Sequence, residues 1–170
     1  VPKVIILNCH FARNSAGEHK GIYSPEIVKQ VWIIGSHFLK NTVFKGGAVH
    51  STSSEYFVIN STFASNKILS DGATVFMENS GILVSINSLY IGNSAYTSGG
   101  TIVCQNLEYI VLKQSLFYKN KGHKRNMVNS FIVLIIECRF IRNSECLRID
   151  NFLQTFILNC TFFKNACIRK

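Results

Sequence analysis

The sequence has little charge, little proline and no long apolar run. Of its 170 residues only 16% are charged and 2 are prolines, whereas 47% are hydrophobic. Disordered chains combine low hydrophobicity with dense charge, so this composition excludes that class. The longest uninterrupted apolar run covers the six residues 131–136, whereas a transmembrane helix needs about 20. We therefore predict a single folded domain over residues 1–170 that contains no transmembrane segment.

The chain also lacks the signals of a protein start. It opens with Val1-Pro2-Lys3, and neither an initiator methionine nor a charged-then-apolar leader is present. We expect residues 1–170 to be a segment of a longer chain, with the rest of that chain as a partner at both ends.

What the sequence does contain is one short pattern, repeated. A small residue, any residue, an aromatic residue, an apolar residue, a frequently basic residue and Asn recur in that order. The seven copies end at Asn14, Asn41, Asn66, Asn93, Asn120, Asn143 and Asn165, with spacings of 27, 25, 27, 27, 23 and 22 residues. So regular a period is typical of repeat architectures.

Each copy follows an apolar, β-branched stretch that is typical of a strand, such as residues 4–7, 31–34 or 133–136. The sequence shows neither the 3.6-residue period of helical repeats nor a leucine ladder. One strand type that returns once per period indicates a parallel β-helix, whose coils stack about 4.8 Å apart. We predict an all-β fold, a β-solenoid in the form of a right-handed parallel β-helix with seven coils, uncapped, one coil for each repeat.

Residues at equal distances from the repeated Asn form columns along the predicted rod. The aromatic column, three residues before the Asn, is expected to stack inside, each ring contributing about 1.5–3 kcal/mol. Its members are Phe11, Phe38, Phe63, Tyr90, Phe117, Phe140 and Phe162. We expect the Asn column at a turn, because Asn tolerates left-handed geometry, with its amides hydrogen-bonded along the axis. Cys and Ser alternate five residues before the Asn and are interpreted as small core residues, while the column six before it, from Asn8 to Asn159, is predicted to be a bend.

Three repeats carry a second, glycine-rich motif after the Asn, at residues 46–49, 71–74 and 99–102. Paired glycines suit a tight turn before another short strand. The pair of motifs, aromatic-x-x-Asn and Gly-Gly-Ala-Ile, resembles the repeat of the chlamydial polymorphic outer-membrane proteins, β-helices of the pectin-lyase-like superfamily. The resemblance implies a non-enzymatic segment of a cell-surface or secreted adhesin-like protein, at the outer membrane in a bacterium. It would act as an extended stalk and contact surface, with host or matrix surface molecules as partners.

Parallel β-helices also include pectin lyases and polygalacturonases, so a carbohydrate-active enzyme is an alternative function. Hydrolysis needs paired carboxylates, and a lyase that uses Ca²⁺ needs a carboxylate cluster for the metal. The nine acidic residues include no Asp-Asp or Asp-x-Asp, and no two share a column in adjacent coils. We therefore predict a protein that is not an enzyme, with no catalytic residues and no cofactor.

Histidine and cysteine offer two weaker candidates. His10 and His37 share a column in adjacent coils and would either hold a metal or face solvent; because no third ligand accompanies them, we predict no metal site. Cys138 and Cys160 fall in neighbouring coils, either within disulfide reach or as small core residues, and their exchange with Ser in that column favours the second interpretation. The six cysteines contain no Cys-x-x-Cys spacing, which disfavours zinc.

The excess of 18 Lys+Arg over 9 Asp+Glu is partly ordered. The residue before the repeated Asn is basic in five of seven coils, namely Arg13, Lys40, Lys119, Arg142 and Lys164. Rungs about 5 Å apart would attract an acidic glycan, which gives a second alternative function, a polyanionic-glycan-binding module. The other interpretation is that this charge prevents lateral aggregation of stacked strands. Nucleic acid is not a predicted partner, because no aromatic platforms interleave with the basic residues.

Two N-glycosylation sequons, at Asn60 and Asn159, fall in the predicted bend column. In a secreted eukaryotic protein these two residues are candidate glycosylation sites, but chance occurrence, given a preference for Asn at the bend, is the better explanation.

Overall fold

A computed structural model describes residues 1–17, 21–23, 28–52, 54–79, 81–97, 99–122, 126–144, 147–150 and 153–166. Within these ranges the chain is all-β, and every pairing between its strands is parallel. None of the described residues belongs to a helix long and apolar enough to cross a membrane.

The strands fall into four groups, which we call faces 1 to 4. Face 1 contains β1 (Lys3–Leu7), β4 (Gln30–Ile34), β8 (Glu55–Ile59), β12 (Ile82–Ile86), the second halves of β15 (Ile102–Lys113) and β17 (Asn126–Ile136), and β20 (Gln154–Leu158). Face 2 contains β2 (His10–Ala12), β5 (His37–Leu39), β9 (Thr62–Ala64), β13 (Leu89–Ile91), β16 (Leu116–Tyr118), β18 (Arg139–Ile141) and β21 (Thr161–Phe163). Face 3 contains β3 (Ser15–Ala16), β6 (Thr42–Val43), β10 (Lys67–Ile68) and β14 (Ser94–Ala95). Face 4 contains β7 (Val49–Ser51), β11 (Val75–Glu78), the first halves of β15 and β17, and β19 (Leu147–Asp150).

The chain runs through faces 1, 2, 3 and 4 and then returns to face 1 one coil further along. This is the predicted parallel β-solenoid, and the fold class is confirmed. The coil number differs: face 2 has seven strands, but face 3 has four among the described residues, so about four turns are complete rather than seven. The fifth is reduced to a bridge between Ser94 and Lys121. The reason is length, because the last two repeats are 23 and 22 residues long and leave less chain beyond the ladder Asn.

Register is fixed by the segment that covers faces 1 and 2. Gln30 precedes Asn41 by eleven residues, and Ile132, its counterpart in the second strand from the other end of face 1, precedes Asn143 by the same eleven. The equivalent distance is eleven in all seven coils. All variation in repeat length therefore lies between the ladder Asn and the next strand of face 1.

Two bends per coil are made by residues in the left-handed conformation. The first lies six residues before the ladder Asn, as predicted, with φ between 50° and 56° at Asn8, Gly35, Asn60, Asn87, Gln114, Glu137 and Asn159. The second lies one residue before the Asn, with φ between 50° and 62° at Arg13, Lys40, Ser65, Gly92, Lys119, Arg142 and Lys164. The expectation that the Asn itself adopts this conformation is wrong. Because the preceding residue makes the corner, the Asn side chain is left pointing into the rod.

The core is a column of inward-facing side chains along the rod axis. Burial alternates along β4 and β8, and Val31, Ile33, Tyr56 and Val58 are fully buried. Alternation of this kind places successive residues on opposite sides of the sheet.

The Ser column does more than fill space beside these side chains. Each serine hydroxyl accepts a hydrogen bond from a main-chain N–H of the preceding coil at 3.1–3.3 Å and donates one to the carbonyl two residues earlier at 2.9–3.0 Å. The interpretation of this column as mainly small core residues was therefore incomplete.

The glycine-rich motif lies where successive coils approach most closely. Gly72 has φ +145°, and a Cβ there would collide with the carbonyl oxygen of Gly46 in the coil before. Gly99 meets Gly72 in the same way. The glycines are needed at this turn because main chain packs directly on main chain.

Candidate functional site

The seven aromatic residues predicted to form a column lie together as one continuous stack. Adjacent ring centroids are 4.6–5.2 Å apart, with interplanar angles of 3–8°. Phe38 and Phe63 are fully buried, whereas Phe162 is 51% exposed. Tyr90, the one tyrosine of the stack, shares a 2.9 Å hydrogen bond with Ser85, and burial raises the pKa of its hydroxyl. Stacked rings at this spacing add to the free energy of burial at every coil.

The Asn column forms a second axial ladder beside the rings. Each amide nitrogen donates to the Oδ1 of the next Asn at 3.0–3.1 Å. From Asn41 onward it also donates to the carbonyl of the aromatic residue in the preceding coil at 2.8–2.9 Å. The Oδ1 atoms additionally accept a main-chain N–H at 2.9–3.1 Å. Both amide hydrogens and the amide oxygen of a central Asn are thus satisfied.

The basic residues lie at the corner where face 2 ends. The side chains of Arg13, Lys40, Lys119, Arg142 and Lys164 are all exposed. Ser65 and Gly92 interrupt the column, so its longest unbroken part is formed by the last three of these residues. Left-handed geometry at this corner directs the side chains away from the rod.

Aromatic side chains accompany the unbroken part of the basic column. The Nζ of Lys119 lies 5.0 Å from the ring centroid of Tyr118, and that of Lys164 lies 5.1 Å from the ring of Phe163. A hydrogen bond with Lys119, together with the charges of Lys119 and Arg142, lowers the pKa of the Tyr118 hydroxyl. The same two cations make the local potential positive, which favours bound anions.

The two paired histidines lie side by side on β2 and β5. The ring centroids of His10 and His37 are 4.6 Å apart and tilted by 31°. Among the residues that the structure describes, no group of three or more His, Cys, Asp and Glu side chains is placed to hold a metal ion.

The cysteines of the described residues, Cys9, Cys104, Cys138 and Cys160, are free thiols. Cys138 and Cys160 follow one another in the small-residue column, and each donates from Sγ to a carbonyl two residues earlier, at 3.3 and 3.2 Å. Burial raises the pKa of Cys138 to about 11. The pair therefore substitutes for serines and does not form the alternative disulfide here, while Cys146 and Cys167 lie outside the described residues.

Three carboxylates have hydrogen bonds that the structure shows, and each of them binds a different polar side chain. Glu55 accepts from Gln30 at 3.0 Å, Glu137 accepts from Gln114 at 2.7 Å, and Asp71 accepts from the Thr97 hydroxyl at 2.9 Å. Glu18, Glu26 and Glu145 lie outside the described residues, as does the side chain of Asp150. The sequon residues Asn60 and Asn159 are exposed at the first bend, where an attached glycan would extend into solvent.

The outward side of face 1 is a surface that the columns counted from the repeated Asn did not predict. Two outward columns are formed there by register pairing, and together we call them the outer wall. The first is Ile5, Trp32, Phe57, Val84, Val111, Leu134 and Phe156. The second is Leu7, Ile34, Ile59, Ile86, Lys113, Ile136 and Leu158. The signal was present in the sequence, because strands with one wet side alternate between apolar and polar residues, whereas thirteen of these fourteen outward positions are apolar.

Comparisons of the chain with protein-family models, with curated proteins and with solved structures give no match.

Proposed function

We propose that the chain is a stiff, non-enzymatic segment of a cell-surface or secreted adhesin-like protein. Its role is to extend a molecule away from its anchor and to present a side surface for contact with host or matrix molecules. The observation that carries this proposal is the unbroken pair of axial ladders, aromatic and Asn, from Phe11 to Asn165.

The ladders favour this role because they make each coil depend on its neighbours. In a solenoid, stability is approximately the sum of repeat and nearest-neighbour terms, so a continuous buried ladder resists bending at any one coil. Seven strands in face 2 span six spacings, or about 29 Å at 4.8 Å each. Such a rod grows by about 4.8 Å for each added repeat, which is an economical way to build length.

The family proposed is that of polymorphic outer-membrane protein repeats. Support comes from both motifs: the aromatic and Asn positions form the ladders, and Gly72 occupies a turn with no space for a side chain. The proposed location, the cell surface or the extracellular space, depends on this resemblance.

Adhesion is tested with beads that carry the purified chain. We expect them to adhere to cultured epithelial cells or to a basement-membrane matrix more strongly than beads carrying an unrelated β-solenoid of equal net charge. Equal adherence would contradict the contact role. In parallel, release of reducing ends or of unsaturated uronic products from polygalacturonate would contradict the non-enzymatic assignment and favour the carbohydrate-active enzyme.

A second candidate function, binding of an acidic glycan, is favoured by one observation. Lys119, Arg142 and Lys164 are exposed on three consecutive coils, and the neighbouring Tyr118 has a lowered pKa. Three cations at regular spacing match the repeating sulfates or carboxylates of a linear polyanion.

Heparin chromatography tests this second function. Replacing Lys119, Arg142 and Lys164 with Gln should abolish retention at physiological salt. The matched control replaces the exposed Lys3, Lys29 and Lys67 with Gln, which removes the same charge elsewhere, and it should be retained. Equal loss in both variants would show that net charge alone causes retention, and unchanged retention of the first variant would exclude the site.

A further inference from the structure

Face 1 is apolar on both of its sides. In β4 the inward residues Val31 and Ile33 are fully buried, while the outward Trp32 and Ile34 are half-buried. The same alternation of burial, without alternation of polarity, continues through β8. Parallel sheets with apolar side chains on both sides are normally covered on both sides.

The outer wall is large as well as apolar. Of its fourteen positions only Lys113 carries a charge. Seven strands at about 4.8 Å, with two outward columns that span about four residues of 3.3 Å, give a surface of about 440 Å² before side-chain relief is counted. That is the size of the largest apolar patch on a typical soluble protein, about 300–600 Å², and such patches are often functional.

The wall is also flat and richest in aromatic residues near one end. The rings of Trp32 and Phe57 stack at 4.2 Å, and the pairings of β1, β4 and β8 show one-to-one register without a bulge. Aromatic residues are enriched at the centres of protein interfaces, where they provide large contact area at low entropic cost.

Charge does not oppose the approach of an identical surface. The basic column lies beyond face 2, separated from face 1 by the first bend. Of the formal charge of +9, Lys113 lies in the wall and the Nζ of Lys3 lies 4.6 Å from the ring centroid of Trp32, but the basic columns lie elsewhere, so two walls can meet without bringing those columns together.

We propose that the outer wall is a homotypic interface, through which two copies of this chain pack face to face along their rods. Two walls would bury about 880 Å² in total by the estimate above, which is the size of a weak, reversible interface rather than of a permanent one. A flat patch that pairs with itself is the isologous contact of a two-fold dimer. Sheets that pack in this way lie about 10 Å apart, so side chains of the two walls interdigitate.

The experiment measures association of the full 170-residue chain by sedimentation equilibrium and by the fluorescence of Trp32, its only tryptophan. We expect a monomer–dimer equilibrium, with Trp32 emission moving to shorter wavelength and acrylamide quenching falling as concentration rises. Replacing both Val84 and Val111 with Lys should weaken dimerisation at least tenfold and abolish the fluorescence change.

The matched control replaces Leu89 and Leu116 with Lys, which adds the same two charges on the outward side of face 2 in the same two coils as Val84 and Val111; it should dimerise like the parent. Circular dichroism establishes that the variants are folded. A parent that stays monomeric at all concentrations would overturn the proposal, as would a folded Val84→Lys, Val111→Lys chain that dimerises like the parent. If that variant does not fold, the concentration dependence of Trp32 quenching in the parent decides the matter without any substitution.

Discussion

Replacing the ladder residue Asn66 with Ala should destabilise the fold more than its small change in volume suggests. Asn66 is fully buried and takes part in hydrogen bonds at all its side-chain polar atoms. It donates to the Phe38 carbonyl at 2.8 Å and to the Asn93 Oδ1 at 3.0 Å, and its Oδ1 accepts the main-chain and side-chain N–H groups of Asn41, both at 3.0 Å.

The magnitude follows from the groups that lose a partner. Asn93 Oδ1 keeps the main-chain N–H of residue 66, and the Asn41 amide keeps the Phe11 carbonyl. The Asn41 main-chain N–H is left unsatisfied, whereas the Phe38 carbonyl loses one of two donors, because the parallel pairing of β5 with β9 also directs the Ala64 main-chain N–H to it. At about 1–3 kcal/mol for the unsatisfied N–H and about 0.5–1.5 kcal/mol for the lost hydrogen bond, the expected cost is about 1.5–4.5 kcal/mol. That is a large part of the about 5–15 kcal/mol that stabilises a typical domain.

Urea and thermal unfolding, followed by circular dichroism, measure this cost. The control is Asn14→Ala, because Asn14 is exposed and its side chain only donates to Asn41 at 3.0 Å. We expect that substitution to cost no more than about 1 kcal/mol. The same chemical change at the two positions separates loss of the buried ladder from loss of an Asn side chain.

Asn66→Asp adds a test by pH. A carboxylate there would be buried and would face the Phe38 carbonyl and the Asn93 Oδ1, so its pKa in the folded state should exceed the ordinary value of about 3.9. A raised folded-state pKa means that the variant is most stable below the ordinary pKa and loses stability as pH rises through the folded value. An Ala variant that costs less than about 1 kcal/mol, or an Asp variant whose stability relative to the parent does not change with pH, would refute the ladder reasoning.

Three further outcomes are expected from other columns and turns. Phe63→Ala should cost about 3–5 kcal/mol in urea unfolding and Phe162→Ala clearly less, since Phe162 is 51% exposed; equal costs would contradict a buried stack. Gly72→Ala should prevent folding, as judged by circular dichroism, because the added Cβ would collide with main-chain atoms. Gly92→Ala, at φ +62° with 3.8 Å between the added Cβ and its nearest neighbour, should cost only about 1–2 kcal/mol. A fully folded Gly72 variant would contradict the tight turn. Because burial raises the pKa of Cys138 to about 11, its thiol should react with a disulfide reagent at pH 8 only after denaturant is added, and fast labelling in the native protein would contradict its burial.

The repeat made the two ladders predictable from sequence. Residues at a fixed distance from a recurring Asn must align when coils stack in register, so the positions of Phe63 and Asn66 followed from spacing alone. Which residue adopts the left-handed conformation did not follow from spacing. The Asn and the residue before it are adjacent, and only the direction of the Asn side chain shows which of the two forms the corner. Propensity favours Asn in that conformation, but the hydrogen bonds of the ladder require Asn66 to point inward, and the corner falls to Ser65.

The number of complete turns and the outer wall were harder to infer for different reasons. Face 3 strands are two residues long, too short for periodicity to reveal where they cease. For the wall, the run of apolar residues was sufficient to predict each strand but not which of its sides would be covered. Because the columns were counted from the repeated Asn, outward residues of face 1 such as Trp32 and Phe57 were not assigned to any surface. The Ser hydrogen bonds were missed because Cys occupies the same column in three coils and pointed to size rather than to bonding.

Because the start of face 1 always lies eleven residues before the ladder Asn, the spacing of the coils along the rod does not depend on how wide each coil is. Insertions and deletions between the Asn and the next face-1 strand change how far one corner projects, but they leave the stacking distance and the phase of every column unchanged. A chain built in this way can lengthen a single loop, or acquire a new one, at any chosen height without disturbing the coils above and below. In such a scaffold the loop between the Asn and the next face-1 strand can vary in length from coil to coil, while the remainder of each coil keeps the same structure.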